Sequence, residues 1–349
     1  MTREQLRRVV AEWLAAGKTV FGPVRVKPGT VLYTRLASAD ALLLGGWVRP
    51  ANSIKEAVFP RHEVLYSYRV EGNGIELADP AEEAREQIVI GAHPCDAAAW
   101  PILDRLFNWD YRDEQYNRRR AATTVITVAC TEHDEHCFCT SVGLGPEAER
   151  GSDAMLVESG GEFQVRTLTE KGAALFAGCT SAGGTACATT GSTIGSTTGA
   201  TTSSTIGSTT VAPVFDARQI AGFAREHFDD PFWRQHALAC LGCGACAYTC
   251  PVCHCFDIVD EGNARAGVRA RNWDACQFPM FTLHSSGHNP RHAQGDRQRQ
   301  RIYHKFYLYP EKFGEILCTG CGNCARNCPA GLGVLPLVTE IRDAEPVQA

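Results

Sequence analysis

The stretch CLGCGACAYTCP at 240–251 has a counterpart in CTGCGNCARNCP at 318–329. Both follow the pattern Cys-x2-Cys-x2-Cys-x3-Cys-Pro, the spacing that holds 4Fe–4S clusters in two-cluster ferredoxins. The short gaps let three thiolates approach three corners of one cubane from a single winding loop. Gly242, Gly244, Gly320 and Gly322 relieve crowding where the backbone wraps. The fourth cysteine of each run crosses to the other cluster, and the proline behind it turns the chain away. The spacing therefore predicts cluster I on Cys240, Cys243, Cys246 and Cys328. It predicts cluster II on Cys318, Cys321, Cys324 and Cys250. Zinc is the alternative, although zinc sites use paired Cys-x2-Cys knuckles rather than full four-cysteine runs.

The segment between the runs is far longer than in a minimal ferredoxin. It reads as helical, as does the approach to Cys240 from Pro231, so an α-helical ferredoxin domain is expected over 216–349. Asp216 is placed to cap a helix over 217–227, and Pro231 to open another. Arg291, Arg297, Arg299, Arg301, His304 and Lys305 lie in the long segment. Cations beside a thiolate-ligated cluster stabilise its charge and tune its potential; a solvated helix face is the plainer reading of each. Cys253, His254, Cys255 and Cys276 are read as packing around a cluster, with direct ligation as the alternative.

Upstream, an amphipathic helix opens the chain, with Thr2 and Gln5 as a capping box. Residues 20–80 read as β-rich. QIVIGA at 87–92 reads as a buried strand, HPCD at 93–96 as a tight turn, and 97–107 as a helix. TTVITVA at 123–129 is a second buried strand. Strand, helix, strand predicts a right-handed unit with parallel strands whose ends share one sheet edge, where α/β folds place their sites. Cys95 and Cys130 stand at those ends, and Cys130-x6-Cys137-x-Cys139 closes a small loop. The four thiols are read as a third 4Fe–4S site. Zinc, or free buried thiols with His133 and His136 as ordinary loop residues, is the alternative.

The whole chain has 349 residues, 17 cysteines and a formal net charge of −5. That balance argues against a nucleic-acid binder, and no apolar run suggests a membrane span. Met1 to Gly17 is charged from Arg3 onward, so no secretory leader is expected and the cytoplasm is the expected compartment. An odd cysteine count in a reducing compartment points to metal rather than disulfides. Residues 172–215 carry no charge and are rich in Gly, Ser, Thr and Ala, with STIGSTT at 192–198 and again at 204–210. They read as a flexible insertion, which makes Cys179 and Cys187 poor ligand candidates. The expected organisation is α+β: a mixed α/β domain over 1–171, the insertion over 172–215, and the ferredoxin domain over 216–349. No GxGxxG behind a strand, no P-loop and no GxSxG is present. No catalytic residue is assigned. Electron transfer without chemistry of its own is one reading, and a zinc-stabilised binding or assembly module is the other.

SIKEAVFP at 53–60, HPCD at 93–96, CTEHDEHCFCTSVG at 130–143, CPVCHCFD at 250–257, RNWDACQFPMFT at 271–282 and the two ferredoxin runs carry a family resemblance. Together they resemble the beta subunit of cytosolic nickel–iron sulfhydrogenases, and a related component of anaerobic sulfite reductase. The resemblance covers about 1–170 and 215–340. It implies an iron–sulfur relay between a flavin subunit that exchanges electrons with NAD(P)H and the large and small subunits of a nickel–iron hydrogenase. A siroheme sulfite reductase is the alternative partner. It also supports a cluster on Cys95, Cys130, Cys137 and Cys139. The insertion and His93, where the family more usually has Arg, depart from the pattern.

Overall fold

The computed structural model describes residues 1–79, 85–177, 205–206 and 209–344. Cys179 and Cys187, with most of the expected insertion, lie outside them. Helix α1 (Arg3–Ala15) carries the expected capping box and buries Leu6, Val9, Val10 and Trp13 along one face. Strands β1 (Thr19–Lys27) and β2 (Thr30–Arg35) form a hairpin, as do β3 (His62–Glu71) and β4 (Gly74–Ala78). Strand β5 (Gln87–Ala92) runs into α2 (Pro94–Ala97), α3 (Ala99–Leu106) and α4 (Glu114–Ala122). The chain then returns as β6 (Thr123–Val128), parallel to β5. Strands β7 (Ala154–Ser159) and β8 (Glu162–Thr167) complete a six-stranded sheet of order β2-β1-β5-β6-β7-β8.

Successive residues of the central strands point to opposite faces, so two cores form. Ile88, Ile90 and Ile126 share one with α1; Val89 and Val125 share the other with Trp100, Leu103 and Tyr116. The strand–helix–strand unit is thus the one the apolar runs predict, and it brings Cys95 and Cys130 to one edge.

Residues 172–176, read as the start of an insertion, belong to helix α5 (Glu170–Phe176). The small residues there permit close packing: a Cβ on Gly172 would stand 1.9 Å from the Asp153 carbonyl oxygen. Phe176 sets its ring edge against Trp13 at 5.9 Å. Strands β9 (Thr205–Ile206) and β10 (Thr209–Thr210) form a short ribbon, and Val211 and Phe215 are buried.

Helix α6 (Ala217–Glu226), capped by Asp216, and α7 (Phe232–His236), behind Pro231, stand where expected. Then come α8 (Ala245–Tyr248), α9 (Gln294–Tyr303), a π-helical turn over His304–Leu308, α10 (Tyr309–Phe313), α11 (Asn323–Arg326) and α12 (Val334–Ala344). Phe138, Phe215, Phe223, Trp233, Phe306 and Ile341 belong to their common core.

The segment between the two cysteine runs departs from the helical expectation. It holds strands β11 (Phe256–Gly262) and β12 (Ala266–Trp273), which extend the β3–β4 hairpin into a sheet of order β11-β12-β3-β4. Strand β11 is mostly exposed and polar, so it has neither a helical stripe nor a strong strand alternation. What anchors the hairpin is Arg271. Its buried guanidinium donates to Glu63 of β3 and to Asp113 at the start of α4. Among the described residues no helix is long and apolar enough to cross a membrane.

Removing one member of a buried ion pair leaves the other uncompensated, which costs about 3–5 kcal/mol. Glu63 keeps Arg119 as a second partner. Arg271→Ala is therefore expected at the lower end, about 3 kcal/mol, read as a shifted midpoint in anaerobic urea unfolding. A loss below about 1 kcal/mol, the range of exposed pairs, would contradict this anchoring role.

Candidate metal centres

The two ferredoxin-type runs fold into similar loops. Gly242 and Gly244, and Gly320 and Gly322, take left-handed φ values between 65° and 73°, which leads each loop into α8 or α11. Cys240, Cys243, Cys246 and Cys328 line one cavity of ≈ 360 Å³. Cys318, Cys321, Cys324 and Cys250 line a second of ≈ 280 Å³. Each run thus sends its last cysteine to the other run's cavity, in the two sets that the spacing predicts.

Cys95, Cys130, Cys137 and Cys139 line a third cavity of ≈ 360 Å³. Cys95 sits in the first turn after β5 and Cys130 just beyond β6, so the parallel pair delivers both. The loop carrying Cys137 and Cys139 is pressed onto the second ferredoxin-type run. Phe138 N–H donates to the Gly320 carbonyl at 2.9 Å, and a Cβ on Gly320 would stand 2.4 Å from Cys139 Cα. Arg326 of α11 forks onto Asp134, its Nε donating at 2.7 Å, and its Nη2 donates to Cys137 Sγ at 3.1 Å. Burial opposes ionisation of Asp134, but the Arg326 fork holds its carboxyl down at about 2.

The sites adjoin one another. Cys321 lines the second and third cavities, and Arg301 lines the first and second. Among the described residues every cysteine is a free thiol. Burial pushes Cys130, Cys246 and Cys321 up to about 12, and Cys139 and Cys318 up to about 11. Cys250 goes the other way: a hydrogen bond with Cys253 lowers it well below its ordinary value against the effect of burial. Thiols buried this deeply ionise only against positive charge, which bound metal supplies.

The donor set fits a cluster better than a single ion. Among the described residues no group of three or more Cys, His, Asp or Glu converges closely enough to hold one metal ion. A tetrahedral zinc, with its ligands about 2.3 Å away, requires such convergence; a cubane, with its irons at separate corners, does not. Among the described residues, buried donors around the cavities also lack partners: Arg301 Nε and Nη2 and Thr319 Oγ1. Cluster sulfurs are acceptors for such groups.

Helix α9 and the π-helical turn behind it supply further donors. Gln294 and Gln298 donate to Cys240 Sγ at 3.2 and 3.1 Å. Arg301 follows on the same face, and Lys305 Nζ stands 3.5 Å from Cys250 Sγ. Of the six cationic candidates in the long segment, Arg301 and Lys305 reach the cysteines. Arg297 instead donates to Gln294 and to the carbonyls of Arg291 and His292; Arg299 covers Phe228. The two glutamines escape a search for charge, but the i, i+4, i+7, i+11 spacing of Gln294, Gln298, Arg301 and Lys305 marks one helix face.

Two other residues reach the cysteine loops with no local sequence signal to mark them. Arg49 Nη1 donates to Cys95 Sγ at 2.6 Å, while its Nη2 pairs with buried Asp96 at 2.7 Å. Lys55, from the SIKEAVFP stretch, is buried with its Nζ 2.9 Å from the Cys253 carbonyl and 4.0 Å from the Trp273 ring centre. Three of the resemblance motifs therefore meet in space. His93 places Nδ1 3.2 Å from Cys130 Sγ. Cys253, Cys255 and Cys276 line none of the three cavities; Cys253 pairs with Cys250 and Cys255 with Cys276.

Residues 239–332 match the family of 4Fe-4S dicluster domains. Over 325 residues, 93% of this chain and 92% of the relative, the sequence is 28% identical to sulfhydrogenase 2 subunit beta of Pyrococcus furiosus. The resemblance drawn from the motifs thus holds along the chain. No solved structure matches it.

The contact at Gly320 yields a direct test. Gly320→Ala adds a Cβ where Cys139 backbone lies and strains a positive φ. It is expected to cost both adjoining cavities their metal, about eight irons for two cubanes. Gly314→Ala also strains a positive φ but meets nothing within 4 Å, so it should keep its iron. Equal iron in the two variants, by colorimetric assay after anaerobic purification, would count against the packing argument.

Proposed function

We propose that the chain is an iron–sulfur electron-transfer subunit of a hydrogenase complex. In this reading Cys240, Cys243, Cys246 and Cys328 hold one 4Fe–4S cluster. Cys318, Cys321, Cys324 and Cys250 hold a second, and Cys95, Cys130, Cys137 and Cys139 a third. The observation that carries it is the file of three adjoining four-cysteine cavities. Each cluster supplies a one-electron couple, and the chain's own residues hold the couples close, keep water out and set the local charge.

The file has two ends. At one, exposed Cys243 sits beside Leu241 and Leu238, which are 72% and 86% exposed. Bare leucines beside a redox site are what a docked partner would cover. At the other, Glu132 and His133 flank the third cavity. The proposed partners are a flavin subunit exchanging electrons with NAD(P)H and a nickel–iron catalytic pair, together in the cytoplasm. The name of the Pyrococcus relative favours the hydrogenase over a siroheme sulfite reductase. The chain itself needs no acid–base residue for this work.

Anaerobic purification is expected to give a brown protein with broad absorbance near 400 nm and about twelve irons. A colourless protein with stoichiometric zinc would sink the relay. Cys137→Ala is expected to lose about four irons and keep the two ferredoxin-type clusters. Unchanged iron in that variant would refute the third cluster.

A further inference from the structure

Arg301 is 3% exposed, and among the described residues its Nε and Nη2 have no hydrogen-bond partner. That is costly, because a buried unpaired donor loses its water without replacement. Arg299 Nε is also without a partner among the described residues, but Arg299 borders neither cavity, and three arginines beside the loops are satisfied. Arg297 has two carbonyls and Gln294, Arg326 has Asp134, and Arg49 has Asp96 and Asn323. Thiols of both sets, Cys246 of the first and Cys324 of the second, act on Arg301 electrostatically, as do Cys253, Cys276 and the Lys305 ammonium. Its side chain lines both cavities.

We infer that Arg301 is a shared cation whose guanidinium fork donates to the clusters of both ferredoxin-type sites and raises both potentials together. The inference rests on reading those sites as 4Fe–4S centres. Its physical basis is geometric. A guanidinium is planar, always charged and carries five N–H donors, more than one acceptor uses, and this one borders both cavities. Reduction at either site adds one negative charge beside this fixed cation. In a buried, weakly screened setting the cation therefore favours the reduced form on both sides.

The neighbours on the same helix face act on one site each. Gln294 and Gln298 donate to Cys240 of the first set. Lys305 is held by the Leu317 carbonyl at 3.0 Å and faces Cys250 of the second. Between these one-sided donors, Arg301 acts on both sites.

The test uses the full chain with its iron, poised at graded potentials and followed by electron paramagnetic resonance. Arg301→Gln is expected to lower the midpoint potentials of both ferredoxin-type clusters, whereas Lys305→Gln lowers that of one. With iron retained, unmoved potentials in Arg301→Gln, or a shift confined to one cluster, overturn the inference. If Arg301→Gln loses its iron, Arg301→Lys decides. In protein grown with arginine labelled by nitrogen-15, the reduced wild-type clusters should each show a nitrogen-15 coupling that Arg301→Lys removes from both. Removal from one or from neither overturns the shared role. A wild type without iron at these cysteines overturns the reading of the sites, and this inference with it.

Discussion

The exchange of Cys250 and Cys328 is the constraint on which the rest of the structure depends. Each loop supplies three thiols to its own cavity and one to the other. Neither site is complete unless both loops are in place. Loops separated by so long a segment need a scaffold that fixes their spacing. That scaffold is α9 with its π-helical continuation, which runs past both cavities and touches Cys240 near its start and Cys250 near Lys305. A π-turn widens the helix by one residue, and such turns occur often at functional sites. Here it lies where Lys305 must turn toward the second cavity.

The third site obeys the same logic by different means. Its cysteines come from two sheet ends and one loop, so the parallel β5–β6 pair does the gathering. What joins it to the other two is the absence of a side chain at Gly320, which lets two backbones approach. The Arg326–Asp134 fork then fixes their register. Close approach matters because electron transfer weakens steeply with separation. The same glycine that suits the second loop's turn also sets the spacing to the third site.

Several of these features are legible in the sequence because they are local. The capping box at Thr2, the Asp216 cap and the buried β5 and β6 runs depend on near neighbours; the exchange of Cys250 and Cys328 does not, and is legible only because the doubled spacing signals it. The β11–β12 hairpin is not legible, because its support comes from β3, about two hundred residues away in the chain. Exposed on one side and polar, it carries no periodic signal of its own. Arg49 is silent for a similar reason: nothing beside it marks it as the partner of Cys95 and Asp96. Gly172 misleads in the opposite sense. Small residues suggest a loose chain, whereas here they allow α5 to lie against the Asp153 carbonyl.

The unmatched donors bear on how the protein acquires this shape. Arg301 and Thr319 bury polar atoms at the cavities with no partner among the described residues, at about 1–3 kcal/mol each when left unpaired. Around them, thiols are raised by burial. A chain lacking metal would keep these thiols neutral but still carry the cost of the unpaired donors, which opening the loops to water would relieve. A chain with its clusters replaces them with ligation and hydrogen bonds to sulfur. On the proposed reading, metal binding and the final packing of the cysteine loops are one process. The core that α1 shares with the sheet holds none of these cysteines.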